Sequence, residues 1–259
     1  MTKNGLLEKF ASGDTTLGAW MMMREPLVAM AAANLDYDYL CIDMQHGLHD
    51  YSDVVVGLQA SARSSVTPIA RTPANQPEIA GRLLDAGALG IIFPMINTGE
   101  QAERAAAGCR YAPEGSRSMG PIGASVLHGN DYFGKANAEV AVIPMIETAE
   151  AVKNLDDILS VPGITAAYVG PSDLSLTLGL PPGFDNDDPA FVEAIETIVA
   201  GCKKHGVIAG IHCNPELAAK RHEQGFRMLT VGHDYGPMMA ALSNDLKKSR
   251  AETTSTLND

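Results

Sequence analysis

Glu147 and Asp173 each stand just past a short apolar run, AVIPMIE and AAYVGPSD, so the chain sends two carboxylates to the ends of strand-like segments adjacent in sequence. Carboxylates from neighbouring strands, with no cysteine beside them, suit a hard divalent cation. Mg²⁺ or Mn²⁺ fits first, with Co²⁺, Ni²⁺ or Zn²⁺ as further options, and positions stay open for water and substrate. Other polar residues hold comparable places after apolar runs: Gln45 and His46, Arg71, Asn97, Ser172, His212, and His233 with Asp234. For Asn97, Thr98 and Ser172 the plainer reading is helix capping. Capping fits Glu147 and Arg71 poorly, because neither is a favoured N-cap residue. The competing structural reading of the carboxylate pair is an ion pair with Arg71. His46 can serve as a ligand or a base, whereas His49, His128, His205 and His222 fall in surface or loop segments and take no role.

Lysine placement narrows the chemistry. No lysine falls in a strand-like run, so a Schiff base projecting from a strand is disfavoured. A carbanion made without an imine needs another electron sink, and a cation that polarises a carbonyl supplies one.

The elements that must position these groups recur eight times. Apolar, β-branched runs span Leu17 to Met22, Tyr39 to Met44, Thr67 to Arg71, Gly90 to Met95, Ala141 to Ile146, Ala166 to Gly170, Val207 to His212 and Met228 to Val231. Helical patterns lie between them, as in Thr98 to Cys109, where Ala102, Ala105, Ala106 and Cys109 share one face. Tyr51 to Ala62, Pro77 to Ala86, Thr148 to Leu159, Phe191 to His205 and Pro215 to Gln224 read as helices too, with Gly87, Gly206 and Gly225 as stops. Eight alternations predict a single-domain (β/α)8 TIM barrel over residues 1–259, whose reactive groups follow the C-terminal ends of the strands. An open Rossmann-like sheet would want a glycine-rich turn after the first strand, and WMMMREP offers none. Ala112 to Glu139 reads as a long irregular segment, an active-site lid or an oligomer contact. Leu180 to Pro189 is a second long loop on the face of Asp173. The polar tail from Arg250 to Asp259 reads as frayed or as an assembly arm.

Composition excludes several classes of partner. The formal net charge is −12, and no Lys/Arg cluster is interleaved with aromatic residues, so nucleic acid and anionic membranes are disfavoured and a small molecule is expected. The N-terminal MTKNGLLEKFASGD lacks the apolar core of a signal peptide, and no stretch is long and apolar enough to span a bilayer. A cytoplasmic location is the expectation. Cys41, Cys109, Cys202 and Cys213 are scattered without metal-ligand spacing.

Several motifs in sequence order resemble the metal-dependent class II 2-oxo acid aldolases of the HpcH/HpaI family: IDMQHGLHD, ARTPANQPEIAGRLLDAGALGIIFPMINT, YAPEGSRSMGP, VIPMIETAEAV and YVGPSDLSLTLG. The similarity runs from about Leu17 to Asp234. It implies a metal held by Glu147 and Asp173, chelated by pyruvate or a similar 2-oxo acid. Backbone N–H groups in Gly170-Pro171-Ser172-Asp173 would receive the substrate carboxylate, except at Pro171, which has none. Arg71 would stabilise the enolate oxygen, and His46 would move the proton directly or through a water. Asp85 would orient His46, within the chain or across a subunit interface, with Asp43 in a similar supporting place.

Three positions depart from the family pattern. Met145 stands where a glutamine is usual, Gln45 where an acidic residue commonly precedes the histidine, and His212 where an apolar residue is often found. Loss of the acidic neighbour removes a charge that would raise the pKa of His46. His212 can accept a hydrogen bond from a hydroxylated substrate, which favours hydroxypyruvate or a sugar-derived aldehyde. The leading expectation is reversible aldol cleavage of a 4-hydroxy-2-oxo acid into pyruvate, or hydroxypyruvate, plus an aldehyde. A citrate-lyase-like enzyme acting on a CoA ester would want a basic groove, which the acidic composition does not suggest. A noncatalytic 2-oxo acid binding protein is the reading from another class. The long loop, the polar tail and the family's habits imply a homo-oligomer, a trimer or hexamer.

Overall fold

The eight apolar runs become eight parallel strands: β1 (Thr16–Met21), β2 (Tyr39–Asp43), β3 (Thr67–Arg71), β4 (Gly90–Phe93), β5 (Ala141–Ile146), β6 (Ala166–Val169), β7 (Ile208–His212) and β8 (Met228–His233). In the computed structural model, which describes residues 3–256, each strand pairs with its chain neighbour and β8 returns to β1. The predicted (β/α)8 barrel is therefore closed. Among the strand ends, β4 stops short of the expected Met95. Pro94 has no N–H for the ladder, and Met95 turns into the left-handed region with φ 56°.

Helices alternate with the strands on the outside: α1 (Gly5–Ser12), α2 (Pro26–Ala33), α3 (Tyr51–Ser61), α4 (Pro77–Ala86), α5 (Gly99–Cys109), α6 (Ile122–His128), α7 (Tyr132–Glu139), α8 (Ala149–Lys153), α9 (Leu155–Leu159), α10 (Pro171–Thr177), α11 (Pro189–His205), α12 (Ala218–Gln224) and α13 (Tyr235–Thr256). The glycine stops hold, since Gly87, Gly206 and Gly225 all take positive φ at C-caps. Thr148 to Leu159 is not one helix. It breaks at Asn154, whose side-chain amide donates to Asn97 O at 2.8 Å and draws the backbone out of helical geometry. Ala112 to Glu139 is more ordered than its composition suggests, because α6 and α7 fold against Tyr111 and bury Ala124, Tyr132 and Ala136. Polar residues from Arg250 onward continue α13 as far as Thr256, with Thr253 Oγ1 donating to Ser249 O, while residues 257–259 lie outside the described part.

Side chains alternate across each strand, and that period places the chemistry. Tyr39 and Cys41 of β2, Ile69 of β3, Ile92 of β4, Ala141, Ile143 and Met145 of β5, and Ala166 and Tyr168 of β6 pack together inside the barrel. Two positions onward along the same face come Asp43, Arg71, Glu147, Gly170 and His212, all at one end. The opposite end is closed by α1, which sends Leu6 and Phe10 into that interior and donates Leu6 N–H to Thr67 Oγ1. The sequence reading did not mark this helix. The intervening face of each strand packs outward on the helices in a larger cluster that includes Leu40, Ile42, Ile91, Val142 and Val169. Interior space is tight: a Cβ at Gly18 would collide with the Tyr39 ring, so a large residue on one strand requires a small one beside it.

Candidate active site

The mouth above the strand ends holds a cavity of about 190 Å³ lined by residues from β1, β2, β3, β5, β6 and β7 and their loops. His46, Arg71, Glu147, Gly170, Ser172, Asp173 and His212 all border it, so seven of the sequence-derived residues converge. Asp85 does not. It sits on α4 and pairs with Arg117 at 2.6 Å, away from this cavity, because the helix turns it outward toward the α6 side. His46 projects from the loop after β2 and is exposed at the rim.

Arg71 is fixed by Asp43. The carboxylate accepts Arg71 Nε at 2.8 Å and Nη2 at 2.5 Å, and it also takes the backbone N–H groups of Gln45 and Gly47. Burial works to raise the Asp43 carboxyl, but the Arg71 hydrogen bonds and charge outweigh it and hold the group below its ordinary value. Among the described residues the third guanidinium nitrogen, Nη1, meets only the Met145 sulfur at 3.8 Å, a weak acceptor. The guanidinium also lies over the Trp20 ring at 4.9 Å. Its charge is thus anchored on one side and available on the other. The ion-pair reading of Glu147 and Asp173 fails in this arrangement, since Asp43 occupies Arg71.

Glu147 is 1 % exposed, and its pKa is pushed up to about 7. Burial is the main cause; the Asp173 charge adds to it, while the Met95 hydrogen bond and Arg71 oppose it. Met95 N–H donates to Glu147 Oε1 at 2.7 Å, and Oε2 lies against Gly170, where a Cβ would collide with it. Asp173 stands half-buried in the first turn of α10, with no hydrogen bond or ion pair to its carboxylate among the described residues. Two carboxylates in one cavity, one buried at its own electrostatic cost and the other unpartnered, fit a divalent cation. No group of three or more His, Cys, Asp or Glu gathers as a ligand set among the described residues.

The remaining polar candidates have structural duties. Asp234 accepts the Met22 and Met23 N–H groups and ties the loop after β1 to β8. Asn97 accepts the Thr148 hydroxyl, Thr98 caps α5, and His233 Nδ1 accepts the Gly236 N–H. His49, His128, His205 and His222 bond to Asp43 O, Gly87 O, Asp156 and Thr15 respectively, outside the cavity. Trp20, Tyr168 and Phe184 were missed as cavity walls. Phe184 stacks on His212 with centroids 5.6 Å apart, and its loop, Leu180 to Pro189, lies on the Asp173 face as expected. No lysine lines the cavity.

Comparison with known proteins agrees with this architecture. The sequence model of the HpcH/HpaI aldolase/citrate lyase family matches residues 16–241. A hydroxypyruvate/pyruvate aldolase of Rhizorhabdus wittichii is 38 % identical over 92 % of this chain and 96 % of its own. A 5-keto-4-deoxy-D-glucarate aldolase of Klebsiella pneumoniae is 34 % identical over 89 % and 91 %. The crystal structure of a family protein from Burkholderia cenocepacia superposes with a TM-score of 0.88 at 33 % identity, covering 95 % of this chain and 99 % of that one. The chain is an aldolase, a carbon–carbon lyase, and it belongs to the HpcH/HpaI aldolase/citrate lyase family.

Proposed function

We propose that the barrel mouth catalyses reversible aldol cleavage of a 4-hydroxy-2-oxo acid to pyruvate or hydroxypyruvate plus an aldehyde, with Mg²⁺ or Mn²⁺ held by Glu147 and Asp173. The observation that carries this reading is Arg71. Asp43 clamps two of its nitrogens and leaves Nη1 against the Met145 sulfur, and Arg71 and Met145 line the cavity that the carboxylate pair also borders. The bound cation would polarise the keto group and help stabilise negative charge on its oxygen. Arg71 Nη1 supplies a second, preorganised donor where that charge develops. The N–H groups of Ser172 and Asp173, in the first turn of α10, would receive the substrate carboxylate. His46 at the rim takes the proton from the C4 hydroxyl in cleavage and returns it in condensation. As that proton leaves, the C3–C4 bond breaks, the aldehyde departs, and protonation at C3 releases the 2-oxo acid.

Pyruvate release from a 4-hydroxy-2-oxo acid, assayed before and after EDTA treatment, tests the reading. Activity should vanish with chelation and return with Mg²⁺ or Mn²⁺; unchanged turnover in EDTA would overturn it. We place the protein in the cytoplasm as a homo-oligomer, a trimer or hexamer. Supporting the assembly, α13 leaves Leu242 and Leu246 exposed, and α6 leaves Ile122 and Val126 more than 80 % exposed. Asp85 borders the same groove as Ile122 and Val126, so a role for it beside His46 would be played in a neighbouring copy's mouth. Sedimentation analysis of the native protein measures the subunit count.

A further inference from the structure

His212 ends β7 with one ring nitrogen engaged and the other free. Its Nδ1 lies 3.4 Å from the Tyr168 hydroxyl, which donates to Thr230 Oγ1 at 2.5 Å; the Tyr39 hydroxyl meets the same Oγ1 at 2.9 Å. Tyr39, Tyr168 and Thr230 are buried in the barrel interior, and burial pushes both phenols well above their ordinary pKa, so both keep their protons. A phenol has one proton to give. Tyr168 spends it on Thr230 and so presents a lone pair to His212. Burial first, then the charges of Arg71 and His233, push the His212 pKa down to about 4, which keeps the ring neutral near pH 7. A neutral imidazole carries a single N–H, and facing a lone pair it carries that proton on Nδ1. Among the described residues no donor reaches Nε2. Trp20, edge-on at 5.1 Å, and Phe184, stacked at 5.6 Å, fix the ring plane at the cavity wall.

We infer that the Tyr39–Thr230–Tyr168 hydroxyl chain holds His212 as its Nδ1–H tautomer, so that Nε2 accepts a hydrogen bond from a hydroxyl group on the substrate. This rests on the aldolase reading and gives it a specificity: a reactant with a hydroxyl beside its reacting carbon. That hydroxyl belongs either to the nucleophile, as in hydroxypyruvate, or to the aldehyde. A reactant lacking it leaves Nε2 desolvated and unpaired, which disfavours it by about tenfold in kcat/KM. His212 acts on the substrate directly, while Tyr168, Thr230 and Tyr39 are positioning residues acting through it.

Two condensation assays separate the sources. Hydroxypyruvate is compared with pyruvate using acetaldehyde as the fixed partner, and glycolaldehyde with acetaldehyde using pyruvate. Intrinsic reactivities differ, so the readout is the change in each kcat/KM ratio from wild type to variant. His212→Phe should lower one ratio about tenfold, and Tyr168→Phe and Thr230→Val should lower the same ratio about threefold. The ratio that falls names the source of the hydroxyl; both ratios unmoved in His212→Phe would overturn the inference. Nitrogen NMR of the ¹⁵N-histidine-labelled wild type, with the His212 signals identified by their loss in His212→Phe, needs no variant other than that reference. A protonated Nδ1 and bare Nε2 are expected; a protonated Nε2 overturns the tautomer assignment. Absence of turnover with every 2-oxo acid would remove the aldolase reading alone. In that event hydroxypyruvate or glycolaldehyde, added with Mn²⁺ replaced by diamagnetic Mg²⁺, should still shift the Nε2 resonance more than its non-hydroxylated counterpart, and equal shifts would overturn the inference.

Discussion

At the ends of β2 and β3 Asp43 accepts two guanidinium nitrogens and two backbone N–H groups, whereas at the ends of β5 and β6 Glu147 accepts one backbone N–H and Asp173 none among the described residues. Both regions bury carboxylates in the same mouth, yet one holds its acid below the ordinary range and the other pushes Glu147 up to about 7. Burial acts in the same direction on both. The difference lies in whether the chain itself supplies the compensating positive charge. The Asp43–Arg71 side is complete without any ligand and can meet a developing oxyanion without reorganising. The Glu147–Asp173 side lacks such a charge from the chain among the described residues, and in the proposed reaction a cation would supply it.

Removing one carboxylate from each side should give opposite profiles. Glu147→Gln is expected to lower aldol turnover by roughly 10³-fold or more and to abolish Mg²⁺ binding in calorimetry, while leaving the metal-free protein at least as stable as wild type. Asp43→Asn strands the Arg71 charge in a buried place and should cost about 3–5 kcal/mol in urea unfolding. The comparison breaks if Asp43→Asn unfolds like wild type or if Glu147→Gln is the less stable variant.

The contrast was only half legible in the sequence. Apolar runs with polar residues at their ends exposed the barrel and gave Arg71, Glu147, Asp173, His46 and His212 as mouth residues, because a period of two points a strand's last inward residue at the site. Which charge answers which was not legible. Asp43 is one residue along β2 from core Ile42 and pairs with a residue 28 positions away, a register fact that needs the β2–β3 pairing of Asp43 with Arg71. The Met95 N–H that holds Glu147 depends on a positive φ at a non-glycine residue, which carries no compositional signal. Asp85 on α4 pairs with Arg117, a contact that no sequence pattern announced, and its proposed role beside His46 belongs to a neighbouring copy. Phe184 was invisible as a wall because a loop rich in Pro, Gly and Asp does not announce where its one aromatic residue will point.

Titration sharpens the comparison through the two acids. The folded protein binds a proton at Glu147 more tightly than the unfolded chain does, about 7 against an ordinary 4.5, so stability is full below pH 4.5 and falls as pH rises through about 7. The penalty on the metal-free protein reaches about 3 kcal/mol and then levels off. Asp43 runs the other way: its contribution is present above the unfolded value and is lost as pH falls through the lower folded one. Mg²⁺ affinity should therefore climb up to about tenfold per pH unit toward pH 7 and flatten above it. Calorimetry in buffers of different ionisation enthalpy should detect close to one proton released per ion at pH 6. No proton release there would mean that Glu147 is ionised without the metal.

A third region, the loop carrying Phe184, is built like the Asp43 side but nearer to water, and it gives the smallest expected effect. Arg221, fully buried, donates from Nη2 to Phe184 O at 2.7 Å and to Asp185 Oδ1 at 2.9 Å, and Lys220 reaches the other Asp185 oxygen at 2.6 Å. Burial tends to raise Asp185, but Lys220 and Arg221 prevail and keep it low. These contacts set the height of the Phe184 ring over His212 and touch no reacting atom. Asp185→Asn weakens the clamp without emptying it, since Arg221 still holds Phe184 O. KM should rise about two- to fivefold with kcat within about twofold, because a looser wall costs binding in ground and transition state alike. An equal fall in kcat with KM unchanged would place the Phe184 wall in the chemistry, and the completed and uncompleted sides of the mouth would no longer be its only electrostatic division.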